Sequence, residues 1–383
     1  MPEEHAFLSA SGAHRWRNCP PSAMLEKQFP DTAGTYAAEG TLAHSLPELK
    51  LRKQFEIMKP SDYKKQLETI HKDKLYQTEM EGYTDSYVEY IRSLCMVFPS
   101  QPYVAIEKKL DFSHIVPDGF GTGDCIILWG DTLHVVDLKY GKGVAVSAEN
   151  NPQLRLYALG AVREYSLLYD IQTVQTHIVQ PRLDNISVET IAVHPDLTNW
   201  GEETAKTAAL AIKGAGEFHA GDWCRFCRAK AQCRARAVQM LSVGENQKDA
   251  ALLTDTEIGS ILKAAQGMQN WVKSLEDYAE KQLLAGKPIA GWKLVEGRSN
   301  RIITDTVAAF QKLISAGYKE TVLYTKKPLG LTELEKLCGG KKQLTDLIGD
   351  WIQKPMGKPT LAPESDRRKP FAKTKLKEMF GGN

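Results

Sequence analysis

Two aspartates and a lysine stand in a part of the sequence that is rich in glycine and β-branched residues. Asp124 ends a glycine-rich turn, and Asp137 and Lys139 follow in the segment VVDLKYGKG. Because side chains alternate along a strand, Asp137 and Lys139 share a face, and a tight hairpin would bring Asp124 beside them. Two carboxylates so placed can hold a divalent cation and orient a water against a phosphodiester. The lysine can stabilise charge on the phosphate or help to deprotonate that water.

Alone, the pattern D-x12-D-x-K is weak, because acidic strand ends followed by lysine are common. A solvated hairpin end with a surface ion pair would have the same sequence. Gln153 and Tyr157 add a second feature, since they lie one turn apart on a predicted helix and share its face. Without further context they are equally typical of a polar helix face with one core tyrosine.

Three cysteines form a second group of chemically competent residues. Cys224, Cys227 and Cys233 stand in the run WCRFCRAKAQC, with C-x2-C-x5-C spacing. A closed tetrahedral site needs a fourth ligand, and four thiolates are a common ligand set for zinc. The alternative is that the cysteines are reduced thiols that bind no metal. The candidates for the fourth position are Cys19, Cys95, Cys125, Cys338 and His219. Cys19 differs from the others because it precedes two prolines in a polar segment, where thiol ligands are common.

The Asp, Asp-x-Lys and Gln-x3-Tyr elements together resemble the RecB-like branch of the PD-(D/E)XK nuclease superfamily. In that branch a G-x-x-D turn supplies the first carboxylate, which selects Asp124 rather than Asp118 of the literal PD pair. The resemblance also implies a metal-site histidine upstream, and His44 in EGTLAH matches its Gly-x3-His pattern. Neutral imidazole suits Mn²⁺ alongside carboxylates. The implied metal ligands are therefore His44, Asp124 and Asp137, holding Mn²⁺ or Mg²⁺.

The cysteine order is similar to that of the AddB nuclease domain and the CRISPR adaptation nucleases. Those proteins carry one cysteine near the start of the domain and three near its end, around a [4Fe–4S] cluster. Cys19 upstream and Cys224, Cys227 and Cys233 downstream reproduce that order. The resemblance therefore favours an iron–sulfur cluster over zinc, and either metal would join distant parts of the chain.

The resemblance implies a metal-dependent deoxyribonuclease, most simply an exonuclease that acts on DNA ends. Asp124, Asp137, Lys139, Gln153 and Tyr157 would form its catalytic set. Outside that set, Lys142 is a candidate phosphate contact or an ordinary turn lysine. The arginines around the cysteines and the basic tail are candidate backbone contacts, and they are equally typical of a soluble surface. The arginines are Arg225, Arg228, Arg234 and Arg236.

The wider chain is similar to a family encoded by phages and prophages, which implies a role in phage replication or recombination, with DNA and the proteins of those processes as partners. Assembly into an oligomer stays open. A non-catalytic nucleic-acid or protein-binding module with a structural four-cysteine zinc site is the alternative. A nuclease fold that has lost catalysis is a third reading.

The elements that must position these residues follow from periodicity. Short β-branched segments at 103–112, 121–130 and 132–141 predict a three-stranded meander, with Gly130-Asp131 as a hairpin turn. A helix from 151 and strands at 173–181 and 187–194 follow. The fold class is therefore α/β (α+β), with a central mixed sheet flanked by helices, and the resemblance implies a restriction-endonuclease-like core.

Further helices are expected at 40–59, interrupted at Pro47, at 61–98 and at 254–286, where Thr254 and Glu257 form a capping box. The domain organisation has four parts. Residues 1–100 are a helical region with a cluster cysteine and the metal-site histidine, and 101–240 are the nuclease core ending in the cysteine clasp. Residues 245–353 are a helical and mixed region, and 354–383 are a basic Pro/Lys-rich tail, extended or disordered.

Composition bounds the class of protein. The 383 residues are 42% hydrophobic and 25% charged, with a net charge of +2, so any nucleic-acid binding must come from local patches. The sequence predicts neither a membrane span nor a secretory signal. Seven cysteines, an odd number in a long chain, argue against a disulfide framework and for a reducing compartment. We therefore expect a cytoplasmic protein, in the bacterial host if phage-encoded.

Overall fold

A computed structural model of the protein describes residues 6–30, 35–143, 145–242, 254–297, 301–324, 328–355, 357, 359–363 and 369. The chain divides into two compact units, Met1–Leu252 and Leu253–Asn383. Every residue of the predicted catalytic set and of the predicted metal sites lies in the first unit, whereas Cys338, a candidate fourth ligand, lies in the second.

Helices lead into the first unit. They are α1 (Ala13–Asn18), α2 (Ser22–Glu26), α3 (Thr35–Phe55), α4 (Pro60–His71) and α5 (Glu79–Met96). Two predictions here were wrong. Helix α3 continues through Pro47, because its buried residues Leu46 and Leu49 hold it in place although proline removes one backbone hydrogen bond. Residues 61–98 form two helices, with a turn in which the Asp73 carboxylate accepts a hydrogen bond from the Leu75 amide at 2.8 Å.

A five-stranded mixed sheet follows, in spatial order β1-β2-β3-β4-β5. Its strands are β1 (Tyr103–Asp111), β2 (Phe120–Trp129), β3 (Thr132–Leu138), β4 (Thr173–Gln180) and β5 (Asn185–Ala192). The first three form an antiparallel meander. Helix α6 (Pro152–Tyr165) then crosses over so that β4 runs parallel to β3, and β5 returns antiparallel. The predicted central mixed sheet flanked by helices is confirmed.

Most of β2 and β3 is buried on both faces of the sheet, which explains their nearly continuous apolar runs. Ile126 and Leu128 point into one core together with residues of α6. Cys125 and Ile127, which alternate with them, point into a second core with Tyr87 and Ile91 of α5. Helices on the two faces can therefore bring polar side chains to the same end of the sheet.

The first unit closes with helix α7 (Thr198–Lys213), a 3-10 helix (Asp222–Phe226) and helix α8 (Arg234–Leu241). The cysteine run lies on the 3-10 helix and on the loop that leads to the start of α8. Helix α1 contacts α6, α7 and the 3-10 helix, so the start of the chain meets the end of the unit.

The second unit contains its own apolar core. Its helices are α9 (Asp255–Leu284), α10 (Thr306–Ser315), α11 (Glu320–Leu323), α12 (Leu331–Leu337) and α13 (Lys341–Ile348). Its strands β6 (Trp292–Glu296), β7 (Ile302–Ile303), β8 (Ile352–Gln353) and β9 (Pro359–Pro363) pair as β6 with β9 and β7 with β8. The predicted capping box of Thr254 and Glu257 is confirmed.

Part of the C-terminal tail has regular structure. The tail was expected to be extended or disordered, and Pro359–Pro363 is extended as strand β9, which pairs with the open edge of β6. Most of the basic residues predicted to contact DNA from the tail lie outside the described residues. Among the helices that the structure describes, none combines the length and the apolar character that a membrane span requires.

A buried histidine pair makes the fold sensitive to acid. His134 Nδ1 and His177 Nε2 are 3.1 Å apart, and Tyr90 is hydrogen-bonded to His177 Nδ1 at 2.9 Å. Burial lowers the pKa of His134 to about 4 and that of His177 to about 3, from 6.5. Both rings therefore stay neutral in the fold and protonate in the unfolded chain.

We expect the free energy of unfolding to fall as the pH drops below 6.5, and to continue falling until about pH 3. Protonation of His134 in the unfolded chain alone lowers the free energy of unfolding by on the order of 3 kcal/mol across this pH range. Urea unfolding at about pH 7 and pH 5 measures the effect. The double variant His134→Leu/His177→Leu should show a smaller difference, whereas the exposed control His219→Gln should behave as wild type. Equal pH dependence in the double variant and wild type would contradict the prediction.

Candidate active site and cysteine segment

The β2–β3 hairpin brings the two aspartates together. The strands pair in the register Cys125 to Val136, so Asp124 and Asp137 lie one position further along the ladder. At this position a side chain, and not a backbone carbonyl, accepts the hydrogen bond: the Leu138 amide donates to Asp124 Oδ2 at 2.7 Å. Asp137 is almost fully buried. The hairpin therefore brings the two carboxylates close together, as the sequence predicts.

Lys139, Gln153 and Tyr157 continue from Asp137 as a hydrogen-bonded chain. Lys139 Nζ lies 2.8 Å from Asp137 Oδ2 and donates to Gln153 Oε1 at 3.0 Å. The Gln153 amide donates to Asp137 Oδ1 and to the Tyr157 hydroxyl, each at 3.2 Å. Gln153 therefore fixes both the lysine and the carboxylate, which explains why a glutamine and a tyrosine one turn apart accompany the Asp-x-Lys strand.

His44 reaches the same cleft from α3. Its Nε2 lies 3.6 Å from Asp124 Oδ2 and 3.0 Å from the Leu138 carbonyl, and its Nδ1 lies 2.8 Å from the Gly40 carbonyl. Both ring nitrogens face oxygen acceptors, so the ring has to carry a proton on each. Burial lowers the pKa of His44, but the Asp124 carboxylate outweighs it and raises the value to about 10. The protonated Nε2 therefore faces the Asp124 carboxylate and the Leu138 carbonyl, and oxygens of both kinds can also bind a hard cation.

The charges of the cleft compensate one another. Burial favours the neutral form of Asp124, but His44 and the Leu138 amide outweigh it and hold its pKa below the usual range. Burial raises the pKa of Asp137, against the opposing effect of Lys139. Burial lowers the pKa of Lys139, and Asp137 more than restores it. A lysine kept protonated is suited to neutralise a phosphate rather than to remove a proton.

Local sequence explains how α6 and α3 reach the cleft. The Asn151 side chain caps α6 by accepting from the Gln153 and Leu154 amides, and Pro152 begins the helix. A methyl group on Gly121 would come within 2.7 Å of the Tyr157 ring, so glycine in β2 lets α6 approach closely. Helix α3 is fixed by Ala43 and Leu46, which pack in a small core with Tyr140.

Glu107 is a further acidic residue near these groups, whereas Asp118 lies in a separate turn. Glu107 on β1 lies across the ladder from Asp124, with a left-handed φ of 48° that is unusual for a strand. Burial and the neighbouring Asp124 raise its pKa to about 7. The segment YVAIEKKLDF contains no signal for that backbone conformation, so sequence alone does not single out Glu107. Asp118 is exposed in the turn before β2, with a φ of 56°, and Lys142 is exposed in the turn after β3.

The cysteine segment returns to the first helix of the chain. Cys19 ends α1, and α1 contacts the 3-10 helix that carries Cys224 and leads to Cys227. The other candidates for a fourth ligand lie elsewhere. Cys125 and Cys95 pack in the core between the sheet and α5, Cys338 is in the core of the second unit, and the His219 side chain is mostly exposed.

A backbone amide points at one of these sulfurs. The Gly221 amide donates to Cys224 Sγ at 3.4 Å, and the backbones of Ser22 and His219 near Cys19, and of Ala229 near Cys227, favour the thiolate forms. Burial raises the pKa of the Cys19 and Cys227 thiols, and these backbone groups oppose that rise. Donors aimed at sulfur stabilise thiolates, which are the metal-binding form of cysteine, so the donor set fits a thiolate-bound metal.

A buried carboxylate holds the two parts of this segment in place. Glu26 on α2 accepts from Arg15 at 2.6 Å and from the Arg228 amide, next to Cys227, at 2.8 Å. All seven cysteines are free thiols. Within the described part of the chain, no three His, Cys, Asp or Glu side chains converge as a preformed metal-binding group.

Comparison with known proteins places the chain in a family. A solved structure titled "Crystal structure of SSO0001" is similar at 14% sequence identity and a TM-score of 0.24, over 51% of this chain and 85% of that chain. A TM-score of 0.24 is too low to indicate a shared fold. A family model described as "Protein of unknown function (DUF2800)" matches residues 5–369. Because the match spans nearly the whole sequence, the chain belongs to the DUF2800 family.

Proposed function

We propose that the protein is a divalent-cation-dependent deoxyribonuclease built on a PD-(D/E)XK core. The observation that carries this proposal is the hydrogen-bonded chain from Asp137 through Lys139 and Gln153 to Tyr157. A surface ion pair would not need a buried carboxylate, a glutamine that bonds both charged groups, and a histidine against the second carboxylate. Such an arrangement is suited to a reaction in which negative charge moves on a phosphate.

The cation would be held by His44, Asp124 and Asp137, with the Leu138 carbonyl as a further oxygen ligand. Two carboxylates, an imidazole and a carbonyl suit Mn²⁺ or Mg²⁺. When bound, the cation supplies positive charge to the scissile phosphate and lowers the pKa of water. His44 has to release its Nε2 proton to become a ligand, so binding of the cation displaces a proton.

The chain's own groups do the remaining work. Lys139 donates hydrogen bonds to a non-bridging oxygen of the scissile phosphate, while Gln153 holds its ammonium group in the direction of the cleft. Tyr157 fixes the amide of Gln153 and excludes water from the side of α6. Lys142, exposed in the turn that follows, is placed to contact a neighbouring phosphate of the strand.

The cysteine segment supports this core. Cys19, Cys224, Cys227 and Cys233 would hold a [4Fe–4S] cluster, with Zn²⁺ as the alternative, and either would join α1 to the end of the first unit. Action on DNA ends, with a place in phage replication or recombination in the host cytoplasm, is supported by the resemblance to RecB-like nucleases.

The proposal predicts cation-dependent degradation of linear DNA. Purified protein is incubated with single-stranded and duplex DNA labelled at the 5′ or 3′ end, and with closed circular DNA, in Mn²⁺, Mg²⁺, Ca²⁺ or no added cation. Linear DNA should be shortened in Mn²⁺ or Mg²⁺, and closed circles should be spared. Absence of cleavage in every condition would reject the proposal and leave the zinc-containing binding module as the better interpretation.

A further inference from the structure

A groove of about 720 Å³ lies beside the cysteine segment, and none of the cleft's carboxylates lines it. It runs between the loop that precedes the 3-10 helix and one face of α8. Its main contributors are Asn18, Phe218, His219, Trp223, Val238 and Gln239. The groove is open to solvent, and neither the cleft nor the proposed metal sites make use of it.

Aromatic rings are the first notable feature of this groove. Phe218 is 45% exposed, and the His219 side chain is 58% exposed. Trp223 is half-buried and held rigidly, because its indole N–H donates to the His219 carbonyl at 2.9 Å. A methyl group on Gly221 would lie 2.5 Å from the Trp223 ring, so the ring rests directly on the backbone. A fixed indole and two exposed rings that line the same groove offer surfaces on which flat groups can stack.

Positive charge is the second feature. Residues 217–241 contain five basic and two acidic side chains, the latter being Glu217 and Asp222. Arg234 is exposed on α8, next to the groove wall, and Arg225 is exposed on the 3-10 helix. The Arg236 guanidinium donates to the Gly221 carbonyl at 3.2 Å and to Gln239, which places it at the groove's edge. The excess of basic side chains beside the groove favours a negatively charged partner over an uncharged one.

We propose that this groove binds a single strand of DNA, with bases stacked on Phe218, His219 and Trp223 and phosphates facing the arginines. Only an unpaired strand offers both the flat faces of its bases and a line of negative charge. A duplex hides those faces inside its stack. The inference rests on the proposed function only in identifying the strand as the nuclease's own substrate, and the binding itself requires no cleavage.

Fluorescence anisotropy of a labelled oligothymidylate tests the proposal. The full chain carrying Lys139→Ala, with no added divalent cation, allows binding to be measured without cleavage. Adding Trp223→Ala should weaken strand binding at least about fivefold, the lower end for loss of one stacked base. Trp223→Phe should restore most of the affinity, and binding should weaken as salt rises. Binding of a labelled hairpin duplex should be unchanged by either substitution.

Trp292→Ala is the control, because Trp292 is a tryptophan of the second unit that does not line the groove. Thermal melting and metal content of each variant show that the first unit is intact. Strand affinity that is equal in Trp223→Ala and Trp292→Ala would overturn the proposal. So would a Trp223-dependent dimer in sedimentation together with no strand binding, since a second copy would then occupy the groove. Strand binding without any nuclease activity would reject the proposed function alone.

Discussion

Replacing Lys139 with alanine is expected to lower the rate of DNA cleavage by about 10²–10³-fold, the cost of removing one group that stabilises developing charge. The ammonium group lies between the Asp137 carboxylate and the Gln153 amide oxygen, so its position is defined by two partners. No other lysine in the described part of the chain has that pair of contacts. A gel assay with end-labelled linear DNA in Mn²⁺ measures the loss, which should fall on kcat.

The control for this experiment is Lys206→Ala, because Lys206 is an exposed lysine on α7 with no contact to the cleft. It should cleave at the wild-type rate. Binding of Mn²⁺, followed by titration calorimetry, should persist in Lys139→Ala, since lysine is not a ligand, and should fail in Asp124→Ala. Residual cleavage that is equal in wild type and Lys139→Ala would mean that the activity comes from elsewhere.

The hairpin and its carboxylates could be predicted because the information is local. Gly130 adopts a φ of 58° in a two-residue turn, and glycine followed by aspartate between apolar runs is a strong signal for such a turn. The turn fixes the strand register, and the register fixes which side chains share a face. The turn and the register together predict the relative positions of Asp124, Asp137 and Lys139. The crossover helix was predictable for the same reason, from Asn151-Pro152 at its start.

Contacts made across long stretches of sequence could not be predicted. The Leu138 carbonyl faces His44 across 94 positions of sequence, and no residue type marks a backbone oxygen as a ligand. The left-handed backbone of Glu107 depends on the strand beside it. The break between α4 and α5 could not be predicted from periodicity, because apolar residues keep a helical spacing across it. Continuity through Pro47 depends on tertiary packing, which can override a local helix breaker.

The cysteine segment and the cleft are mechanically linked through α6. That helix carries Gln153 and Tyr157 and contacts both α1 and α7. Cys19 ends α1, and the remaining three cysteines follow α7. Glu26 fixes the same two parts of the chain by hydrogen bonds to Arg15 and to the Arg228 amide. A metal bound by the four thiolates would therefore reinforce a contact that the fold already makes, and its loss should loosen the support of α6 before it disrupts the sheet.

Replacing Cys224 with serine is accordingly expected to remove the bound iron or zinc and to lower the stability of the first unit by several kcal/mol, because a metal held only in the folded state stabilises that state. Metal analysis after anaerobic purification, visible absorption and thermal melting measure these effects. Brown protein with iron would establish a cluster, whereas colourless protein with zinc would establish the alternative. Cys95→Ser is the matched control, since Cys95 lies on α5 in the other core. Full metal content in Cys224→Ser, or equal loss in both variants, would contradict the four-cysteine assignment.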